Sequence, residues 1–90
     1  MADLLHEYWE NEDGAEFSIV RERNDLIRPT VCPDARLVFS FRAASWNEAM
    51  QVQYDRLDLG TYDALGMEDI VYTDADATEQ AEYLSRRKGS

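Results

Sequence analysis

Residues that punctuate or staple a chain are scarce in this sequence. Four glycines and two prolines in 90 residues exclude linker, collagen-like and low-complexity classes. A single cysteine, Cys32, forms no internal disulfide, which excludes a disulfide-stapled secreted scaffold. The opening MADLLHEYWE has acidic residues where a secretion signal has a basic segment and an apolar core, so the expected location is cytoplasmic. No apolar run approaches the roughly 20 residues that cross a bilayer. Basic residues are few as well. Lys and Arg number 9 against 19 Asp and Glu, for a net charge of -10. Three of the nine, Arg86, Arg87 and Lys88, crowd the end of the chain. DNA, RNA and anionic membranes are normally held by a basic patch that neutralises phosphate, and this chain shows none. The closing Arg-Arg-Lys reads as a helix terminus rather than a nucleic-acid or localisation signal.

What is present is enough apolar material to fold: 44% hydrophobic residues, with 11% aromatic. A chain this short builds one core at most, so residues 1–90 are expected to form one small domain, ordered over about 5–87. The closing Gly89-Ser90 reads as a cloning remnant.

The pattern of elements begins uncertainly. As a strand, residues 6–11 place Tyr8 and Trp9 on opposite faces; as a helix, Leu4, Leu5, Tyr8 and Trp9 share one stripe. The strand is preferred because Glu12-Asp13-Gly14 is a turn signal and residues 16–22 then alternate in the period of two. Residues 23–35 contain Asn24-Asp25, Arg28-Pro29 and Cys32-Pro33-Asp34, three breakers that predict a long loop. Arg36 to Ala43, RLVFSFRA, is the clearest strand, with Leu37, Phe39 and Phe41 on one side. Ser45 and Glu48 form a capping box, in which each side chain accepts from the other residue's backbone N–H. Trp46, Ala49, Met50, Tyr54 and Leu57 follow at helical spacing, predicting a helix over about 46–58 that ends near Gly60. Residues 60–72 carry too many apolar side chains for a free loop and should pack across the core edge. A last helix covers about 74–87, acidic at its start and basic at its end, in the order that opposes the helix dipole. The expected class is α+β: a small three-stranded antiparallel β-sheet followed by two α-helices packed on one face (β-β-β-α-α).

Within IVYTDADAT, residues 70–78, the D-x-D-x-T spelling matches the nucleophile motif of aspartate-based phosphatases. That chemistry needs a central parallel strand, a downstream lysine and further acidic ligands for Mg2+. Only 12 residues follow Thr78, and they supply no such set. An EF-hand reading fails too, because Glu79 and Ser85 stand where glycine and the bidentate glutamate belong. The same letters make a good helix start, with Thr73 as N-cap and Asp76 three residues on, or Asp76 as N-cap and Glu79 as its partner.

His6, the single histidine, is expected to be an ordinary exposed side chain near a fraying end. Cys32 lacks a nearby base and is expected to be inert or partly buried. No Ser-His-Asp set, glycine-rich phosphate loop or Cys/His metal spacing is present, so the expectation is no enzyme, no cofactor, no metal and no small-molecule ligand. Aromatic side chains are in surplus: Trp9, Trp46, Tyr54, Tyr62, Tyr72 and Tyr83 exceed what one small core readily hides. The candidate interaction surface is therefore the groove between the helix at 46–58 and the segment 60–72, formed by Trp46, Tyr54, Asp55, Asp58, Tyr62, Asp63 and Tyr72. The free edge of the sheet offers a second route, by strand pairing.

Residues 35–87, with S-W-N-E-A-M at a helix start, an L-G-x-Y turn and Y-T-D…E-Q…Y-L at the end, resemble a family of short bacterial proteins of unknown function. The resemblance implies a compact bacterial domain and supplies no activity or partner. The functional expectation is a non-enzymatic acidic interaction module that binds a protein partner or a second copy of itself. The alternative is a nucleic-acid mimic or inhibitor of a DNA-binding protein. The weakest reading is a small metal-dependent hydrolase using Asp74 and Asp76.

Overall fold

The computed structural model describes residues 2–87. Lys88, expected at the end of the last helix, and Gly89-Ser90 lie outside the described residues. The architecture is α+β: a three-stranded antiparallel sheet and three helices. The elements are β1 (Leu4–Asn11), β2 (Gly14–Ile19), α1 (Glu22–Val31), β3 (Arg36–Ala43), α2 (Trp46–Leu57) and α3 (Asp74–Arg86).

The strand preference for the first segment holds, and β1 is the centre of the sheet, in the order β2-β1-β3. His6 stands between Ile19 of β2 and Phe41 of β3, and Tyr8 between Phe17 and Phe39. Leu4, His6 and Tyr8 thus point to one face, Leu5, Glu7 and Trp9 to the other. The hairpin turns at Asn11, whose Oδ1 accepts from Asp13 N at 3.0 Å and Gly14 N at 2.9 Å. Beyond Ile19 one more backbone bond forms, Val20 N to Leu5 O at 2.9 Å, and a side chain then completes the ladder. Gln80 accepts from Leu5 N at 2.8 Å and donates to the Leu5 and Val20 carbonyls at 3.0 and 3.1 Å. One buried amide therefore fastens α3 to the sheet where β2 peels away.

The loop expected over 23–35 is a helix for most of its length, and the strand expected over 16–22 ends at Ile19. Local signals were overridden by tertiary contacts. Asn24 donates to the Ile19 carbonyl at 2.8 Å, and Arg28, only 7% exposed, lies flat on the Trp9 indole at 4.2 Å from the ring centre. Pro29 removes a single N–H close to the end of a ten-residue helix, a loss these contacts outweigh. The helix is also inverted: polar Asp25 and Arg28 turn inward, while Leu26, Ile27 and Val31 are exposed at 70%, 45% and 68%. An apolar-inward pattern therefore never forms in its sequence.

The helix over 46–58 holds, with Ser45 Oγ accepting from Glu48 N at 3.1 Å, but the expected reciprocal bond is displaced by one residue: the Glu48 carboxylate accepts from Ala44 N at 3.2 Å. Its terminus differs from the expected glycine cap. Asp58 takes the left-handed conformation, φ 57°, and Leu59 N reaches the Tyr54 carbonyl at 2.9 Å. Residues 70–72 then run antiparallel to 44–46, with Trp46 N donating to Ile70 O at 2.9 Å and Tyr72 N to Ala44 O at 3.0 Å. This bridge delivers Tyr72 to the core and places Thr73 at the start of α3.

Candidate functional site

The aromatic face of the sheet takes up two of the six surplus aromatics noted above, Trp46 and Tyr72. Phe17 and Phe41 stack on the His6 ring at 5.6 and 5.7 Å between centroids, Trp46 lies at 6.1 Å and Tyr72 at 5.5 Å. Tyr8 and Phe39 stack at 4.9 Å, and Arg56 closes the layer over Phe39 at 5.2 Å. His6 is fully buried, which corrects the expectation of an exposed side chain. Its Nδ1 is 2.9 Å from the Leu4 carbonyl and its Nε2 is 2.8 Å from the Tyr72 hydroxyl. A carbonyl only accepts, so Nδ1 carries the proton and Nε2 accepts from Tyr72. Burial pushes the imidazole down to about 4, so it is neutral at pH 7, and burial raises the Tyr72 phenol to about 12. A neutral, doubly bonded imidazole under four rings is a structural hydrogen-bonding group with no opening for substrate. The period-two pattern of β1 places residue 6 opposite residue 7, but only the position of Tyr72 reveals why a histidine is tolerated there.

The opposite face holds an ionic cluster that sequence reading missed, because its members are far apart in the chain. Arg87 donates to both Glu7 oxygens at 2.9 and 2.8 Å, and its Nε lies 2.9 Å from Asp25 Oδ2. Glu7 also accepts from Trp9 Nε1 at 3.0 Å, Arg28 bonds Asp25 at 3.0 Å, and Tyr83 donates its hydroxyl to Asp25. Burial pushes Asp25 up, but the bonds from Tyr83, Arg28 and Arg87 together hold its carboxyl below the usual range. The bonds to Glu7 hold the Arg87 guanidinium firmly protonated. Arg87 thus ties the end of α3 to β1 and α1, a role beyond the dipole-opposing one its position suggested.

At the D-x-D-x-T stretch, Thr73 Oγ1 accepts from Asp76 N at 3.1 Å while Asp76 Oδ2 accepts from Thr73 N at 3.0 Å. This is the reciprocal capping box. The Thr73 backbone N–H holds the Asp76 carboxyl below its usual range, keeping it an anion at the positive end of the helix. Among the described residues, no three or more His, Cys, Asp and Glu side chains are placed to hold a metal ion.

The candidate surface residues are divided by the structure. Tyr72 is buried and Trp46 half-buried, both within the aromatic layer, so Tyr72 presents no face to a partner and Trp46 only part of its ring; this corrects their assignment to an open groove. Tyr54 and Tyr62 meet edge to face at 5.4 Å, and Gln51 bridges helix and segment, accepting from Tyr62 N at 2.9 Å and donating to Gly60 O at 3.2 Å. Asp55, Asp58 and Asp63 are exposed beside this seam. The expectation that 60–72 packs its apolar side chains on the core edge fails for most of them. Leu65, Met67, Ile70 and Val71 are exposed at 82%, 70%, 62% and 63%, as is Leu59 just before the segment at 57%.

The segment is nonetheless held firmly at the backbone. Besides the Gln51 bonds and the bridge at 70–72, Asp69 accepts from Asn47 N at 2.8 Å and Asp63 from Leu65 N at 2.8 Å. Leu65 itself sits at φ 56°, a left-handed conformation in which its Cβ crowds the backbone. The most exposed of the large apolar side chains is therefore also held in a disfavoured backbone conformation. Leu65 and Gly66, at φ 56° and 81°, are the central residues of the turn that Met67 N closes onto Ala64 O at 3.1 Å.

Cys32 is half-buried and lines a cleft of about 220 Å3 with Trp9, Glu10, Glu16 and Val31, at the end of α1. A larger cleft of about 370 Å3 separates the β2–α1 corner from α3, with Arg21 and Arg86 opposing Glu22, Asp76, Glu79 and Glu82. His6 lines neither. No described helix is long and apolar enough to cross a membrane. No family profile, curated protein or solved structure matches the chain.

Proposed function

We propose that this chain is a non-enzymatic, acidic protein-interaction module that binds through the crest of the 59–71 segment. The observation that carries the reading is the group of five exposed apolar side chains on a backbone fastened at both ends. Exposed apolar groups in one segment are a mark of interaction surfaces, and a hydrogen-bonded backbone limits the entropy lost when a partner orders them. The non-enzymatic part is supported by the chemistry of the candidate groups: His6 is neutral and enclosed, and Asp76 is committed to a helix cap.

A photoreactive amino acid placed at Leu65 or Met67 tests the proposal in the protein's own cells. The expected result is a discrete adduct that is missing when the probe sits at Glu12 or Glu79, exposed acidic positions elsewhere on the surface. Equal or no adducts at all four positions would exclude the segment as a binding surface.

A further inference from the structure

We infer that the partner of this segment is a protein surface with an apolar groove rimmed by lysine or arginine. The inference rests on the binding role proposed above and adds the partner's chemistry to it.

Residues 57–72 contain Asp58, Asp63, Glu68 and Asp69 and no Lys, Arg or His. Each acid is one or two residues from an exposed apolar side chain: Asp58 next to Leu59, Asp63 near Leu65, Glu68 next to Met67 and Asp69 next to Ile70. All four are exposed, and none is in a salt bridge among the described residues. The contrast with Glu7 and Asp25, each matched by arginine, is direct. Burial pushes Asp69 up, but bonds from Asn47 N, Ser45 and Ile70 N outweigh it and keep its carboxyl low, so this rim charge persists well below neutral pH.

The arrangement selects among possible occupants. Side chains as exposed as these bury the most area in an apolar groove, and carboxylates beside them without an ion pair favour cations on its rim. A second copy brings another -10 and is repelled. Anionic lipid and nucleic acid are repelled for the same reason. A basic protein is attracted from a distance, which raises the association rate and makes it sensitive to salt.

An amphipathic peptide alternating Leu and Lys carries the complementary chemistry, and its Leu-Glu counterpart is the control. Titrated into the full chain and followed by backbone amide resonances, the Leu-Lys peptide should move residues 57–72 before others. It should bind at least about tenfold more tightly than the Leu-Glu peptide and weaken as salt rises. The triple variant Asp58→Asn, Asp63→Asn, Glu68→Gln should lose about tenfold in affinity with its other resonances unmoved. Asn tolerates the left-handed position at 58 and keeps the acceptor for Leu65 N at 63, so the fold is spared. Leu65→Ser with Met67→Ser should weaken binding comparably.

Equal binding of both peptides at the segment would overturn the inference while leaving the binding surface in place. Shifts confined to the acidic start of α3 would also overturn it, as general charge attraction. Insertion of the segment into vesicles of phosphatidylcholine and phosphatidylglycerol would replace the protein partner by a membrane. If neither peptide moves the segment and no adduct forms at positions 65 and 67, the binding role itself falls.

Discussion

The surroundings of β1 and the segment 59–71 are both well hydrogen-bonded, and they treat side chains in opposite ways. Around β1 polar groups are inside and most are matched: His6 by Leu4 and Tyr72, Glu7 by Arg87 and Trp9, Leu5 and Val20 by Gln80, whereas Arg28 over Trp9 leaves its buried Nε without a hydrogen bond among the described residues. In the segment the apolar groups are outside, and among the described residues its acids have no ion pairs. The difference teaches where stability resides. Substitutions near β1 should act on folding, and substitutions on the segment should act on binding.

The largest effect expected is that of Arg87→Ala, which strips Glu7 and Asp25 of their shared cation. Breaking a buried ion pair from one side costs about 3 kcal/mol or more, because the remaining charge stays desolvated. Denaturant unfolding checks it, and the double variant Glu7→Leu, Arg87→Leu should recover part of the loss. If Arg87→Ala is as stable as the parent, the ionic face does not hold α3 to the sheet.

Next in size is acid. His6 binds its proton near 6.5 when unfolded and near 4 when folded, so the unfolded state holds more protons between these values. Stability is therefore complete above about pH 6.5, falls as pH drops toward 4 and loses up to about 3 kcal/mol over that window. Asp25, Asp69 and Asp76, with lowered carboxyls, contribute further loss as pH falls through the usual carboxylate range and below it. In the variant His6→Phe the window between pH 6.5 and 4 should flatten, whatever its absolute stability. Smaller still is Thr73→Ala, which removes the N-cap of α3 and should cost about 1 kcal/mol, a fall in Tm of roughly 4–8 °C.

Legibility in the sequence followed the range of the interactions. The strand RLVFSFRA, the N-cap at Ser45, the capping box at Thr73 and the fate of D-x-D-x-T rest on neighbours within four residues, and these were readable; the return bond of Glu48 was not, since it goes to Ala44 N instead of Ser45 N. The helix at Glu22–Val31 was not, because what favours it is Trp9, Glu7's partner Arg87 and Tyr83, residues remote in the chain, and because its apolar side chains face outward. His6 failed for the same reason, its partner lying 66 positions away. For the candidate surface, the structure bears only on exposure. Asp58 and Asp63 are exposed, as read, whereas Trp46 and Tyr72 turned inward because period and spacing do not say which aromatics the sheet will claim.

The claim that the 59–71 segment is shaped for binding rather than for folding is tested most directly by the unfolding free energy of Leu65→Gly. A glycine relieves the left-handed strain at φ 56° and removes a side chain 82% exposed, so the variant should be as stable as the parent or more stable, by up to about 1 kcal/mol. A loss of about 1 kcal/mol or more would show that Leu65 packs within the fold and would contradict the separation of stability from function.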